Sequence, residues 1–317
     1  MKPANVTIVR GIEAICADHF GIADENRAPM GNQTAFYHTV EDLDANNIWV
    51  DTTERFCEQM SREFSALIQY EDILEPEYER SCNYFFKFEL RDASMAKDRK
   101  FRTEATPQGS VKPDMIKLWT IPPILSPDAH TKEYLWDLRP DLIYWLSLNG
   151  FSPEYTWALE QYTHVRFKRK LSPYCTVEYK RAKDTMSEKI SMNQMVASSL
   201  IALWNRFDLR KRAIKAQQRP WQKKDMEDMK HYGVRVQREA FDIWVMTATM
   251  SEQGEWEGAR LKLLRTGELS TVIGVEALSV WLNEIHRWGL SVHAKGVEAD
   301  VKACAAVDGI ILGERRI

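Results

Sequence analysis

The chain has 317 residues, 44% of them hydrophobic and 28% charged, which is the balance of a globular protein with a sizeable core. No apolar run approaches the ~20 residues that cross a bilayer, and the first residues carry no basic segment followed by an apolar one. The expectation is therefore an intracellular protein, nuclear or cytoplasmic, with no signal peptide and no membrane partner. Cys16, Cys57, Cys82, Cys175 and Cys304 are odd in number and scattered, with no C-x-x-C spacing. That excludes a disulfide framework and a structural zinc site, and the five read as small buried hydrophobes.

The net charge of −3 conceals an asymmetry. Residues 164–224 hold sixteen Lys/Arg against four Asp/Glu, so the remainder of the chain is strongly acidic. A basic block inside an acidic protein points to a face prepared for a polyanion. Arg166, Lys168, Arg169, Lys170, Arg210, Lys211 and Arg212 are its candidate contacts.

Residues 1–48 are broken by Gly11, Gly21, Pro29 and Gly31 and read as short helices and loops. Phe56, Met60, Phe64, Leu67 and Ile68 then recur at helical spacing. Asp51 and Glu54 resemble a capping box, and Pro76 limits the helix. Residues 77–92 are either a second helix or an extended segment. Residues 91–113 read as a loop or linker, placing a boundary between a mostly helical N-terminal region, 1–112, and a second domain, 113–317.

Residues 116–124 predict a short strand. Leu142-Ile-Tyr-Trp-Leu146 is a continuous apolar run suited to a central strand, opened by Asp141. Pro153 starts a helix at its favoured first position. Ser172-Pro-Tyr-Cys-Thr-Val-Glu-Tyr-Lys-Arg181 predicts another strand. Its alternation puts Cys175, Val177 and Tyr179 on one face and Thr176, Glu178 and Lys180 on the other. A long apolar helix opens at Ser187 and carries Asn193 and Gln194. Residues 232–239 and 241–249 predict two strands or one bent strand, and 256–264 a further strand with Thr266-Gly267 as its turn. The tail from Thr271 is helical in period, with Gly289 as a cap and a last short helix over 297–307. His286 reads as a packed structural residue.

Pro-Asp pairs and acid-x-Lys triplets are individually common; Pro113-Asp114, Pro127-Asp128, Asp228-Met-Lys230 and Asp300-Val-Lys302 also occur. Asp141 and Glu178/Lys180 alone sit on apolar, β-prone segments in order before a helix. A charged residue on a buried strand is costly unless it is paired or binds a metal. A structural Glu178–Lys180 pair is the competing explanation. No G-x-S-x-G elbow, Gly-rich phosphate loop or H-E-x-x-H motif is present.

Proline-aspartate, then Glu-x-Lys on a strand, then a helix with a polar pair resembles the PD-(D/E)XK nuclease superfamily. The segments "RPDLIYWLS", "TVEYK", "MNQMVASS", "FDIWVMT" and "WLNEIHRWGL" are similar to fungal members of that group, over about residues 130–317. The resemblance implies a restriction-endonuclease-like α/β (α+β) core, a mixed central sheet flanked by helices. It implies a nuclease requiring Mg²⁺, with Mn²⁺ as a substitute, acting on nucleic acid, DNA ahead of RNA. Asp141 and Glu178 would be its metal ligands, Lys180 its catalytic lysine and Gln194 a helix glutamine beside the site. Relatives often add an acid from an earlier helix; Glu133, Glu154 and Glu160 all remain open. Two alternatives stand beside this: a binding or interaction module that has kept the fold without turnover, and the toxin domain of a fungal selfish element or effector.

Overall fold

The computed structural model describes residues 6–9, 20, 33–40, 43, 48–69, 75–86, 102–107, 118–123, 138–151, 153–166, 169–181 and 185–310. Its centre is a mixed sheet. The strands are β1 (Val6–Val9), β2 (Arg102–Pro107), β3 (Leu142–Ser147), β4 (Val165–Arg166), β5 (Lys170–Lys180), β6 (Lys230–Gln237), β7 (Ala240–Met250) and β8 (Trp256–Glu268). Seven of them lie in the order β1-β8-β7-β6-β5-β3-β2, and β4 pairs with β5 beside that path. The β5–β6 and β1–β8 pairings are parallel and the others antiparallel.

The helices are α1 (Gln33–Tyr37), α2 (Glu54–Gln69), α3 (Glu75–Phe85), α4 (Pro153–Tyr162), α5 (Thr185–Ala216), α6 (Lys223–Glu227), α7 (Val272–Trp288) and α8 (Ala294–Val307). A π-helical turn, Gly289–His293, joins the last two. Thirty-two residues of α5 run without Gly or Pro. The helix stops where Gln218 turns left-handed and Pro220 follows.

Strand alternation divides the core into two layers. Cys175, Val177 and Tyr179 of β5, with Tyr232, Val234 and Val236 of β6, pack with Val275, Leu278, Trp281 and Leu282 of α7. On the opposite face, Met195, Val196, Leu200 and Leu203 of α5 pack with Trp244 and Met246 of β7. Ile201 and Ala202 of α5 meet Ile143 and Trp145 of β3. Gly233 lets α5 sit down on β6, because a Cβ there would lie 2.6 Å from the Met195 sulfur.

Several details differ from the sequence reading. The region 91–113 contains β2, which pairs with β3 from Arg102↔Ser147 to Pro107↔Leu142. With β1, it puts strands from the first 112 residues at both edges of the sheet, in addition to helices α1–α3. Within 118–123 there is a single bridge residue, Trp119, and no strand: Thr120 bonds instead to Asn205 and Trp204 of α5. Thr53, not Asp51, caps α2, its hydroxyl accepting from the Phe56 N–H. Residues 77–85 are helical, and Pro76 sits in the first turn of α3. β8 continues through Thr266-Gly267, which pair with Asp242 and Phe241. Gly289 is right-handed and continues the helix; its missing Cβ makes room for the Tyr174 ring, 2.7 Å from where that atom would stand. Of the cysteines, Cys57, Cys82, Cys175 and Cys304 are buried free thiols, and Cys16 lies outside the described residues.

Among the described residues no helix is long and apolar enough to cross a membrane.

Candidate functional site

Asp141 ends the approach to β3, and Glu178 lies near the end of β5. The antiparallel register Leu142↔Val177 and Ile143↔Thr176 carries on by one step to set Asp141 beside Glu178. Both project to the face covered by α5. The Asp141 carboxylate accepts the Tyr179 N–H at 2.8 Å and the Lys180 ammonium at 3.2 Å through one oxygen, Oδ2. Lys180 thus pairs with Asp141, which replaces the Glu178–Lys180 pair as the local ion pair. The Lys180 side chain is 25% exposed, so the cluster opens to solvent on its side.

Glu178 is the unusual member. It is 0% exposed, and neither carboxyl oxygen has a hydrogen-bond donor. Burial drives its pKa well above the usual carboxylate range, the Asp141 charge pushes it further, and Lys180 opposes. A fully buried carboxyl with no donor needs a proton or a cation.

Gln194 lies on α5, and its Oε1 is also buried without a partner. Its neighbour Met195 sits over Gly233 of β6, and Ile201 packs on β3. At about 100° per residue this turns Gln194 toward β5, which lies between those strands. Among the described residues no third His, Cys, Asp or Glu joins the pair. Of the open candidates, Glu160 is exposed on α4, and the side chains of Glu133 and Glu154 lie outside the described residues.

Arg235 was missed in the sequence. It faces Glu178 in register across β5 and β6, and Asp242 faces Arg235 across β6 and β7. One row across four strands therefore reads Asp141, Glu178, Arg235, Asp242. The Arg235 guanidinium bonds to Asp242 through Nε at 3.0 Å and Nη2 at 2.5 Å, and to the Glu188 carbonyl of α5 at 3.1 Å. Glu178 receives none of these bonds. Only strand register reveals the row.

Beyond Lys180, the candidate contacts Lys170, Arg210, Lys211 and Arg212 do not border this site. Lys170 to Glu178 spans about 26 Å of extended strand, and Gln194 to Arg210 about 24 Å of helix. The Arg212 bond to the Tyr162 carbonyl, 2.9 Å, draws the far end of α5 to α4, away from the carboxyls. Nor does the block form one free cationic face. Arg210 is buried, bonded to Asp225 at 2.6 Å and Asp300 at 2.8 Å; Arg206 bonds to Asp300 at 2.5 Å, and Arg219 to Asp225. The acids that neutralise these arginines come from α6 and α8. Gly296 of α8 leaves space for the Arg206 and Arg210 guanidiniums. Lys211 pairs with Glu255 and Arg212 with Asp208. Lys170 is buried, Arg166 lies against the Trp145 ring, and Arg169 is exposed. Lys168 lies outside the described residues.

His286 is buried with Nδ1 2.9 Å from the Tyr174 hydroxyl, and burial lowers its pKa to about 3. It is part of the core beneath α7, on the sheet face opposite Glu178.

No known protein family, curated protein or solved structure matches this chain.

Proposed function

We propose that this protein is a metal-dependent nuclease with a restriction-endonuclease-like core, hydrolysing phosphodiester bonds of nucleic acid, DNA ahead of RNA. The observation that carries the reading is the Glu178 carboxyl: fully buried, without a donor, beside Asp141 and one alternate position from Lys180. The donor set suits a hard dication. Two carboxyls supply anionic oxygens, and Mg²⁺ needs few protein ligands because it retains several waters. Asp141 and Glu178 would hold the ion, which when bound lowers the pKa of a coordinated water and offsets phosphate charge.

The protein's own residues have separable tasks. Asp141 anchors Lys180 at the solvent side of the pair, where the ammonium meets negative charge building on a phosphoryl oxygen. Gln194 overhangs β5 from α5 and contributes an amide for substrate or water. The apolar packing of α5 on Ile143 and Trp145 limits water entry from behind.

A second reading, a binding module with the same fold and no turnover, is favoured by one observation: no third acid joins the pair among the described residues. Incubating the purified protein with plasmid DNA, single-stranded DNA and RNA in Mg²⁺, Mn²⁺ or EDTA separates the two. Cleavage that depends on metal and disappears in Lys180→Ala supports the nuclease. Binding without cleavage under every condition supports the module.

A further inference from the structure

Arg235 poses a problem for a cation site. Paired strands lie about 4.8 Å apart, and Arg235 faces Glu178 in register on the same side of the sheet. A guanidinium has the reach to cover the carboxyl of a directly facing glutamate and would form a bidentate pair with it. Such a pair would occupy the oxygens a metal needs. Both Glu178 oxygens are nevertheless without a donor.

The reason lies on the next strand. Asp242 draws the guanidinium the other way, accepting from both Nε and Nη2. Asp242 is itself fixed by the Trp244 indole N–H at 2.5 Å. The Glu188 carbonyl takes Nη1, tying the guanidinium to the first turns of α5. Arg235 and Asp242 are both largely buried, 8% and 15% exposed in their side chains, so water competes little for either group.

We infer that Asp242 is a positioning residue that holds Arg235 off Glu178 and so keeps the carboxyl pair open to a divalent cation. The inference rests on the proposed metal site at Asp141 and Glu178. It assigns Asp242 no contact with metal or substrate. Its effect passes through Arg235: without the Asp242 charge, the guanidinium turns to Glu178 and closes the site with an internal cation.

The test is Mn²⁺ titration of the purified full-length chain, with free Mn²⁺ read by electron paramagnetic resonance and folding checked by circular dichroism. Asp242→Asn should weaken Mn²⁺ binding at least about tenfold, and Asp242→Glu should retain it. The double variant Asp242→Asn/Arg235→Met should recover binding to at least the wild-type level. A role limited to packing predicts the opposite, since a second lesion in the same network adds damage. Arg235→Met alone should bind Mn²⁺ more tightly, because a positive charge leaves the row.

A folded Asp242→Asn with unchanged affinity overturns the inference, as does a double variant no better than the single one. If Asp242→Asn does not fold, Arg235→Met decides: tighter binding upholds the inference and weaker binding overturns it. Wild-type protein that binds no Mn²⁺ removes the metal reading and this inference together. Wild-type binding that is lost in Glu178→Gln but intact in Asp242→Asn removes this inference alone.

Discussion

Glu178 and Arg235 face each other across β5 and β6, yet the arginine is bonded to Asp242 and the glutamate to no donor. An opposite charge stands one strand away and is spent elsewhere. A sheet optimised for stability alone would pair these two residues or replace both with apolar ones. The row instead leaves one buried carboxyl without a donor.

The carboxyls and the lysine should separate on mutation. Lys180→Ala is expected to abolish cleavage and leave Mn²⁺ affinity largely intact, because the ammonium acts on developing charge and not on the ion. Glu178→Ala should remove both. The Lys180–Asp141 pair is partly exposed, so Lys180→Ala should change stability by no more than about 1 kcal/mol. Single-turnover kinetics with urea melts of each variant check this; loss of metal binding in Lys180→Ala would contradict it.

The metal-free protein should lose stability as pH rises through the range where Glu178 ionises. Its folded pKa lies well above the ordinary 4.5, so the folded state holds a proton that the unfolded state has released. Stability from this group is full below about pH 4.5 and declines as pH approaches the folded pKa. Glu178→Gln should flatten that slope. For the same reason, Mn²⁺ binding should release protons at pH values below the folded pKa of Glu178. Denaturant melts across pH and calorimetry in buffers of different ionisation enthalpy measure the two effects.

Buried His231 and His286, both held near pKa 3 by desolvation, should act in the opposite sense. Their folded pKa values lie below the unfolded value of about 6.5, so they contribute stability above that pH. The contribution declines as pH falls toward 3. Replacing His286 with Phe should reduce acid sensitivity between pH 6 and 3, at the cost of the Tyr174 contact. Acid-unfolding curves followed by tryptophan fluorescence compare the two proteins.

Reversing charge at Arg210 should unfold the protein, not selectively weaken nucleic-acid binding. Asp225, Asp300, Arg206, Arg210 and Arg219 form one network joining α5, α6 and α8. Despite burial, which raises it, the Asp225 pKa falls to about 2 through Arg219, the Gln222 N–H and Arg210. Asp300→Ala leaves two guanidiniums without their shared acceptor and should cost about 3–5 kcal/mol. Urea denaturation measures it, and a loss below 1 kcal/mol would contradict the account.

The two strands that carry Asp141 and Glu178 were legible because each is a continuous apolar run with one acid at an odd place. The long helix was legible from its uninterrupted period. β2 was not, because its sequence, Arg-Thr-Glu-Ala-Thr-Pro, shows no apolar alternation. The burial of Arg210 depends on Asp300, ninety positions away, so charge counting alone could only place it on a surface. Arg235 and Asp242 were equally hidden: each is an ordinary charged residue on its own strand. Register brings them into line with Glu178, and a single strand's sequence does not contain register.

Mn²⁺ binding to wild-type protein and to Glu178→Gln, measured side by side on folded samples, decides whether the carboxyl pair is a metal site. A specific Mn²⁺ site is expected in the wild type, displaced by Mg²⁺ and lost in Glu178→Gln. Wild-type protein with no specific site, or a Glu178→Gln variant that binds equally well, would contradict it.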